Sequence, residues 1–140
     1  MATIEFRVGK LRDSEQAVVS NGFEAHSNER LAPAYDKKHL TWLAQSNDKA
    51  LLAALTADVL WDWMYIDELW VAPAARGDGL GRQLMQQAEA HADHKGLQGI
   101  WLWTQSWQAE SFYEKLGYDV FARFDDFPVG HSRIGFRKKL

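Results

Sequence analysis

Apolar and polar residues alternate with a period of two along much of the chain, and one long stretch shifts to a period near 3.6. Residues 3–8 place Ile4, Phe6 and Val8 between polar neighbours, the spacing of a half-buried strand. Asp13 followed by Gln16 has the form of a capping box and predicts a helix start, with Asn21-Gly22 interrupting the pattern beyond it. Residues 29–38, with Pro33 and mixed charge, read as a loop. Strands are expected at 39–45, 51–60 and 63–71, with a turn at 46–49 and a tight bend at Asp62. Leu80, Leu84, Ala88 and Ala92, with Met85 beside them, then share one helical face, and Gly96 supplies the stop. A strand at 99–104, a short helix at about 108–116 ended by Gly117, and strands at 118–124 and 133–138 complete the order. Strand, helix, three strands, helix, strand, helix and two strands make an α/β chain with a mixed sheet rather than an alternating, doubly wound one.

Composition narrows the picture. At 140 residues, 46% hydrophobic and 25% charged, the chain is expected to form one domain, residues 1–140, with a real core. A net charge of −3 lacks the basic footprint of a nucleic-acid binder. With no cysteine there is no disulfide framework, thiolate nucleophile or cysteine-based zinc site. His91 and His94 lie one helical turn apart, but two imidazoles without further ligands make a poor metal site, and none is expected. No run approaches a membrane span and no leader pattern opens the chain, so a soluble cytoplasmic protein is expected. The seven tryptophans imply a large aromatic core, an aromatic pocket or an interface. The basic end, Arg133, Arg137, Lys138 and Lys139, reads as a solvated strand edge.

The most informative segment is residues 69–82, which pass from strand through turn and glycine-rich loop into helix. Free amides at a helix start, with the positive end of its dipole, form an anion site. Gly77, Gly79 and Gly81 let backbone approach a phosphate, Asp78 and Leu80 complete the loop, and Arg76 and Arg82 add cationic donors. No Gly-Lys-Ser/Thr follows, so this is no P-loop, and the dinucleotide spacing is absent. Arg76-x-x-Gly79-x-Gly81 between a strand and a long helix resembles the acyl-CoA pyrophosphate loop of the GNAT superfamily of N-acetyltransferases. Phe112-Tyr113-Glu114-Lys115-Leu116-Gly117-Tyr118 is similar to that family's second signature, in the expected order and spacing. The tail Pro128-Val129-Gly130-His131-Ser132 resembles a subgroup of small bacterial members, although Trp103 stands where that subgroup often carries an acidic residue.

The resemblance implies a fold of α+β character. A mixed, mostly antiparallel sheet of about seven strands is flanked by helices and opens into a V-shaped cleft. It also implies acetyl-CoA as cosubstrate and direct attack of an amine on the thioester. Such a reaction needs a neutral amine, a polarised carbonyl and a proton for the leaving thiolate. Tyr113 matches the family's usual general acid, and a phenol is protonated at neutral pH. For the base, Asp67 and Glu68 are adjacent on a strand, so only one faces the cleft unless a bulge intervenes. Asp67, expected on the face of Leu69 and Val71, is preferred to Glu68, expected with Ile66 and Trp70. The backbone of Leu69, Trp70 and Val71 resembles the segment that pairs with the pantetheine arm. Phe112 is a further expected cofactor contact, and Thr104, Gln105 and Ser106 are expected as polar contacts to the cofactor or amine, or as helix caps, with Thr104 taken as a cofactor contact.

Trp61, Trp63, Trp103, Trp107 and His131 are candidates to wall the acceptor pocket, with Asp62, Glu68, Asp125 and Asp126 attracting a cation. Acetyl transfer to a small cationic amine is therefore the leading reading. Acetylation of a protein lysine or amino terminus, a non-catalytic acyl-CoA-binding module and an interaction protein with a vestigial loop stand as alternatives. Neither nucleic acid nor membrane is an expected partner. The family often dimerises, and the exposed-strand tryptophans allow a homodimer.

Overall fold

A computed structural model describes all 140 residues, which form two compact units, Met1–Ala34 and Tyr35–Leu140. In the first, helix α1 spans Asp13–Glu29. Its start lies one residue earlier than Asp13 and Gln16 suggest: Arg12 is the N-cap, and its backbone N–H donates to Glu15 Oε1 at 2.8 Å. The helix passes through Asn21-Gly22 because one glycine costs only about 1 kcal/mol against a ladder of local hydrogen bonds. The strand expected at residues 3–8 does not form. Ile4, Phe6 and Val8 are exposed, since alternation supplies an apolar edge but no partner to pair with it.

The second unit holds six strands, not seven: β1 Lys38–Gln45, β2 Leu51–Leu60, β3 Trp63–Val71, β4 Gly99–Gln105, β5 Asp119–Asp125 and β6 Ser132–Lys139. A single 3-10 turn, Pro73–Ala75, and helix α2, Leu80–His94, link β3 to β4, and helix α3, Glu110–Lys115, follows β4. The sheet order is β1-β2-β3-β4-β6-β5, antiparallel except for the β3–β4 pair. β6 is therefore an interior strand, which corrects the reading of its basic residues as a sheet edge. Lys138 instead turns inward and donates to Glu89 of α2 and to the Leu116 carbonyl.

One face of the sheet carries the core. Leu55, Met64, Ile66, Ile100, Leu102, Ile134 and Phe136 are buried with Leu84, Met85, Ala88 and Ala92 of α2. The two alanines let helix and sheet approach closely, and each fully buried large side chain contributes about 1.5–3 kcal/mol. The opposite face is aromatic. Tyr65 and Trp101 pack at 4.6 Å between centroids, Phe121 at 6.2 Å from Trp101, and Trp103 at 5.5 Å from Phe121. No helix of the chain is long and apolar enough to cross a membrane.

Two irregularities decide what the sheet can hold. β3 and β4 pair only from Trp63↔Gly99 to Ile66↔Leu102, although both strands continue beyond. At the same point the register between β2 and β3 slips: Ala57 faces Ile66 and Thr56 faces Glu68, leaving Asp67 as an extra residue. Such a bulge bends its strand and re-aims side chains. Here it turns β3 away from β4.

Candidate active site

Past Ile66, β3 remains paired to β2, and its other edge, residues 67–71, faces a cavity of about 890 Å³ instead of a neighbouring strand. Backbone N–H and C=O groups on that edge, apart from the Val71 carbonyl that Arg76 engages, are free to pair with an extended ligand. The cavity is walled by β3, the end of β4 and α3, which brings together Asp67, Glu68, Arg76, Gly81, Phe112 and Tyr113 among others. Leu69, Trp70, Val71, Thr104 and Trp107 also line it.

The bulge corrects the expected alternation. Leu69 and Val71 pack against the core on the face of Met64 and Ile66, while Glu68 and Trp70 point the other way, with Glu68 accepting from Thr56 Oγ1 at 3.0 Å. Asp67, the inserted residue, is exposed beside Glu68, so both carboxylates line the same cavity. Glu68 already accepts one hydrogen bond, and Asp67 accepts none within the chain.

Tyr113 sits in the middle of α3, its ring held by Phe112, Tyr118 and Phe136 with centroids 5.1, 6.1 and 5.7 Å away. Burial pushes its phenol up to about 12, so the group stays protonated throughout the neutral range. Tyr113 lines the cavity, and its hydroxyl makes no hydrogen bond within the chain, a proton donor without an internal acceptor. Nearby, Thr104 Oγ1 donates to Gln108 Oε1 at 3.0 Å, and the same oxygen accepts from the Gln105 N–H at 2.9 Å. Gln108 thus closes the turn into α3 and joins the lining. Sequence reasoning missed it, although a glutamine four residues after a strand-end threonine is a visible turn-closing signal.

The glycine loop forms the second half of the site. Gly79 is the N-cap of α2 in the left-handed conformation (φ 81°), and no side chain caps the helix, so its first amides point outward unpaired. A Cβ on Gly81 would lie 3.5 Å from Phe112 Cζ and 3.6 Å from Val71 Cγ2, so a larger side chain would fill the space between loop and α3. Arg76 is fixed by donation from Nε to the Val71 carbonyl at 3.2 Å. Arg76, Gly77, Gly79, Leu80, Gly81 and Arg82 line a hollow of about 340 Å³, and Asp78 stands outside it. Val71, Arg76, Gly81 and Phe112 belong to both hollow and cavity, which makes the two continuous. An anion at the helix start and an extended arm along β3 would lead to Tyr113.

Other expected residues lie elsewhere. Trp61 and Trp63 wall a separate cavity of about 660 Å³ at the paired end of β3 and β4, with Tyr65, Trp101 and Phe121, and are not brought to Tyr113. His131 is one ring removed from the lining, edge-on to Trp107 with centroids 5.0 Å apart. Gln105 and Ser106 hold the loop before β6: Gln105 Nε2 donates to the Phe127 carbonyl at 2.8 Å, and Ser106 Oγ accepts from the Ser132 N–H at 2.9 Å. His91 packs against Trp42.

Comparisons with known proteins agree with this geometry. Residues 10–118 match the model of the acetyltransferase (GNAT) family. A blasticidin-S acetyltransferase of Streptomyces morookaense is 41% identical over 81 residues, covering 57% of this chain and 60% of that protein. The chain's match thus spans less than two thirds of that relative's length. A crystal structure of an acetyltransferase from Bacillus cereus superimposes with a TM-score of 0.84 at 27% identity, covering 96% of this chain and 98% of the other. The same fold, at a TM-score of 0.66 and 22% identity over 73% of this chain and 63% of the other, occurs in a Bacillus anthracis structure that holds acetyl coenzyme A. The splayed strands, the uncapped glycine loop and the family match together place this chain in the GNAT family of acetyltransferases.

Proposed function

We propose that the protein moves an acetyl group from acetyl-CoA to the amine of a small molecule. The observation that carries this reading is the continuity of the anion-binding hollow with a cavity holding a protonated phenol and two carboxylates. The coenzyme's phosphates would lie at the start of α2 against Arg76 and Arg82, with the arm along the free edge of β3. A backbone N–H of residues 69–71 polarises the thioester carbonyl. The neutral amine attacks the carbonyl carbon, the C–S bond breaks, and Tyr113 protonates the departing thiolate. Asp67, unengaged within the chain, takes the ammonium proton through water, and Glu68 adds negative potential. A small-molecule acceptor is supported by the named activity of the Streptomyces relative, a blasticidin-S acetyltransferase, and acetyl-CoA by the Bacillus anthracis structure that holds it.

The test is acceptor-dependent thiol release from acetyl-CoA against polyamines, aminoglycosides, amino acids, blasticidin S and lysine peptides, run beside Tyr113→Phe. Release with small amines that falls in the variant supports the reading. Release with lysine peptides alone would move the acceptor to protein. Binding of acetyl-CoA with no release from any amine would favour a regulatory module, and no binding would remove the loop assignment.

A further inference from the structure

Arg133 leaves β6 on the aromatic face of the sheet, opposite Gln105 of β4. Its guanidinium carbon lies 4.9 Å from the Trp103 ring centroid and 5.6 Å from that of Phe127. A guanidinium stacked in this way is held flat, and beyond the hydrogen bond it gives the Tyr65 phenol it keeps in-plane N–H donors for a partner. Phe127 is itself fixed, through the hydrogen bond that its carbonyl accepts from Gln105. Lys138 is matched with Glu89, Arg123 with Asp125, and Lys37 and His39 with Asp58, whereas Arg137, further along the same face of β6, lines the cavity at the paired end. Half-buried Arg133 has no carboxylate of its own chain within ion-pair distance.

It borders the reaction cavity through Trp103 and does not line it. Trp103, beneath the guanidinium, lines that cavity together with Asp67. Burial raises the pKa of the neighbouring Tyr65, the Asp67 charge adds to the rise, and the Arg133 charge and hydrogen bond oppose it, so both residues act on one phenol. Asp67 and Arg133 thus flank Tyr65 without closing on each other. An occupant bearing an amine and an anion would satisfy both.

We infer that Arg133 anchors a carboxylate of the acceptor, so that the amine acetylated here belongs to a zwitterionic molecule such as an amino acid or an amino-sugar acid. The inference rests on the acyl-transfer reading and adds the class of substrate to it. Asp67 and Glu68 draw the ammonium towards the thioester, and the arginine fork receives the carboxylate, which fixes the direction in which the acceptor enters.

The experiment measures thiol release for amines offered as pairs: lysine and lysinamide, ornithine and putrescine, muramic acid and glucosamine. For the wild type, kcat/KM for at least one carboxylate member should exceed that of its partner by about tenfold or more, the scale of a lost charged hydrogen bond. In Arg133→Gln the acceptor KM should rise by a similar factor and the preference vanish, with the KM for acetyl-CoA unchanged. Arg133→Lys, which keeps the charge without the fork, should restore part of the preference. Equal turnover of both members by the wild type, or an undiminished preference in Arg133→Gln, would overturn the inference and leave acyl transfer standing. No release from any amine would remove the transferase reading and this inference with it.

Discussion

The two ends of the β3–β4 pair make the most instructive comparison in the molecule. At the paired end, Trp63, Tyr65 and Trp101 wall a cavity of about 660 Å³ in which Asp58 is already taken by His39 and Lys37. At the splayed end, the cavity of about 890 Å³ has a free strand edge, a phenol without an internal acceptor and an aspartate without a donor. Both are rich in aromatic side chains. Asp62 and Arg137 line the paired-end cavity without an ion pair, so unpaired charge does not separate the two; what does is the free strand edge and the phenol at the splayed end, continuous with the hollow of the glycine loop.

The sharpest way to break the comparison is to remove the proton donor. Tyr113→Phe should lower kcat by about 10²-fold with little change in the KM for acetyl-CoA, the usual scale for general acid catalysis. Next comes the loop. Gly79→Ala forces a side chain into a left-handed backbone at φ 81°, at about 1–2 kcal/mol, and should weaken acetyl-CoA binding by about tenfold in calorimetry. Asp67→Asn should lower kcat by about tenfold and Glu68→Gln by less, since Glu68 is held by Thr56, with rates read across pH 6–9. At the paired end, Trp63→Ala should leave kcat/KM within about twofold while costing about 1–3 kcal/mol of stability in denaturant unfolding.

The buried phenol gives the smallest effect, in stability against pH. Tyr113 has a folded pKa of about 12 against an ordinary value of 10.0, so the fold favours its neutral form. Its contribution is complete below pH 10.0 and is lost as pH rises through about 12. Tyr113→Phe should therefore show a shallower alkaline loss of stability, measured by urea unfolding from pH 9 upward.

Much of this arrangement is legible in the sequence, and the exceptions have physical causes. The apolar face of α2 and the glycine loop are local patterns, and locality makes them readable. The bulge also left a trace: apolar positions run 64 and 66, then 69 and 71, with Asp67 and Glu68 as the slip. Read as plain alternation, that slip put the two carboxylates on opposite faces. Residues 3–8 alternate as a strand should, but pairing is a property of the partner and not of the segment. The distance of Trp61 and Trp63 from Tyr113 follows from which end of β3 they occupy, and neighbours in sequence do not reveal which end opens. Arg133 looked like an edge cation because the order of β6 between β4 and β5 is set by tertiary pairing.

The central claim is that the acetyl thioester lies where β3 and β4 part. A crystal structure with acetyl-CoA tests it most directly. The expected result places the pyrophosphate at the start of α2, the thioester carbonyl within hydrogen-bond reach of a backbone N–H of residues 69–71, and the sulfur beside the Tyr113 hydroxyl. A coenzyme whose thioester lies outside the splay, or against the tryptophans of the paired end, would contradict it.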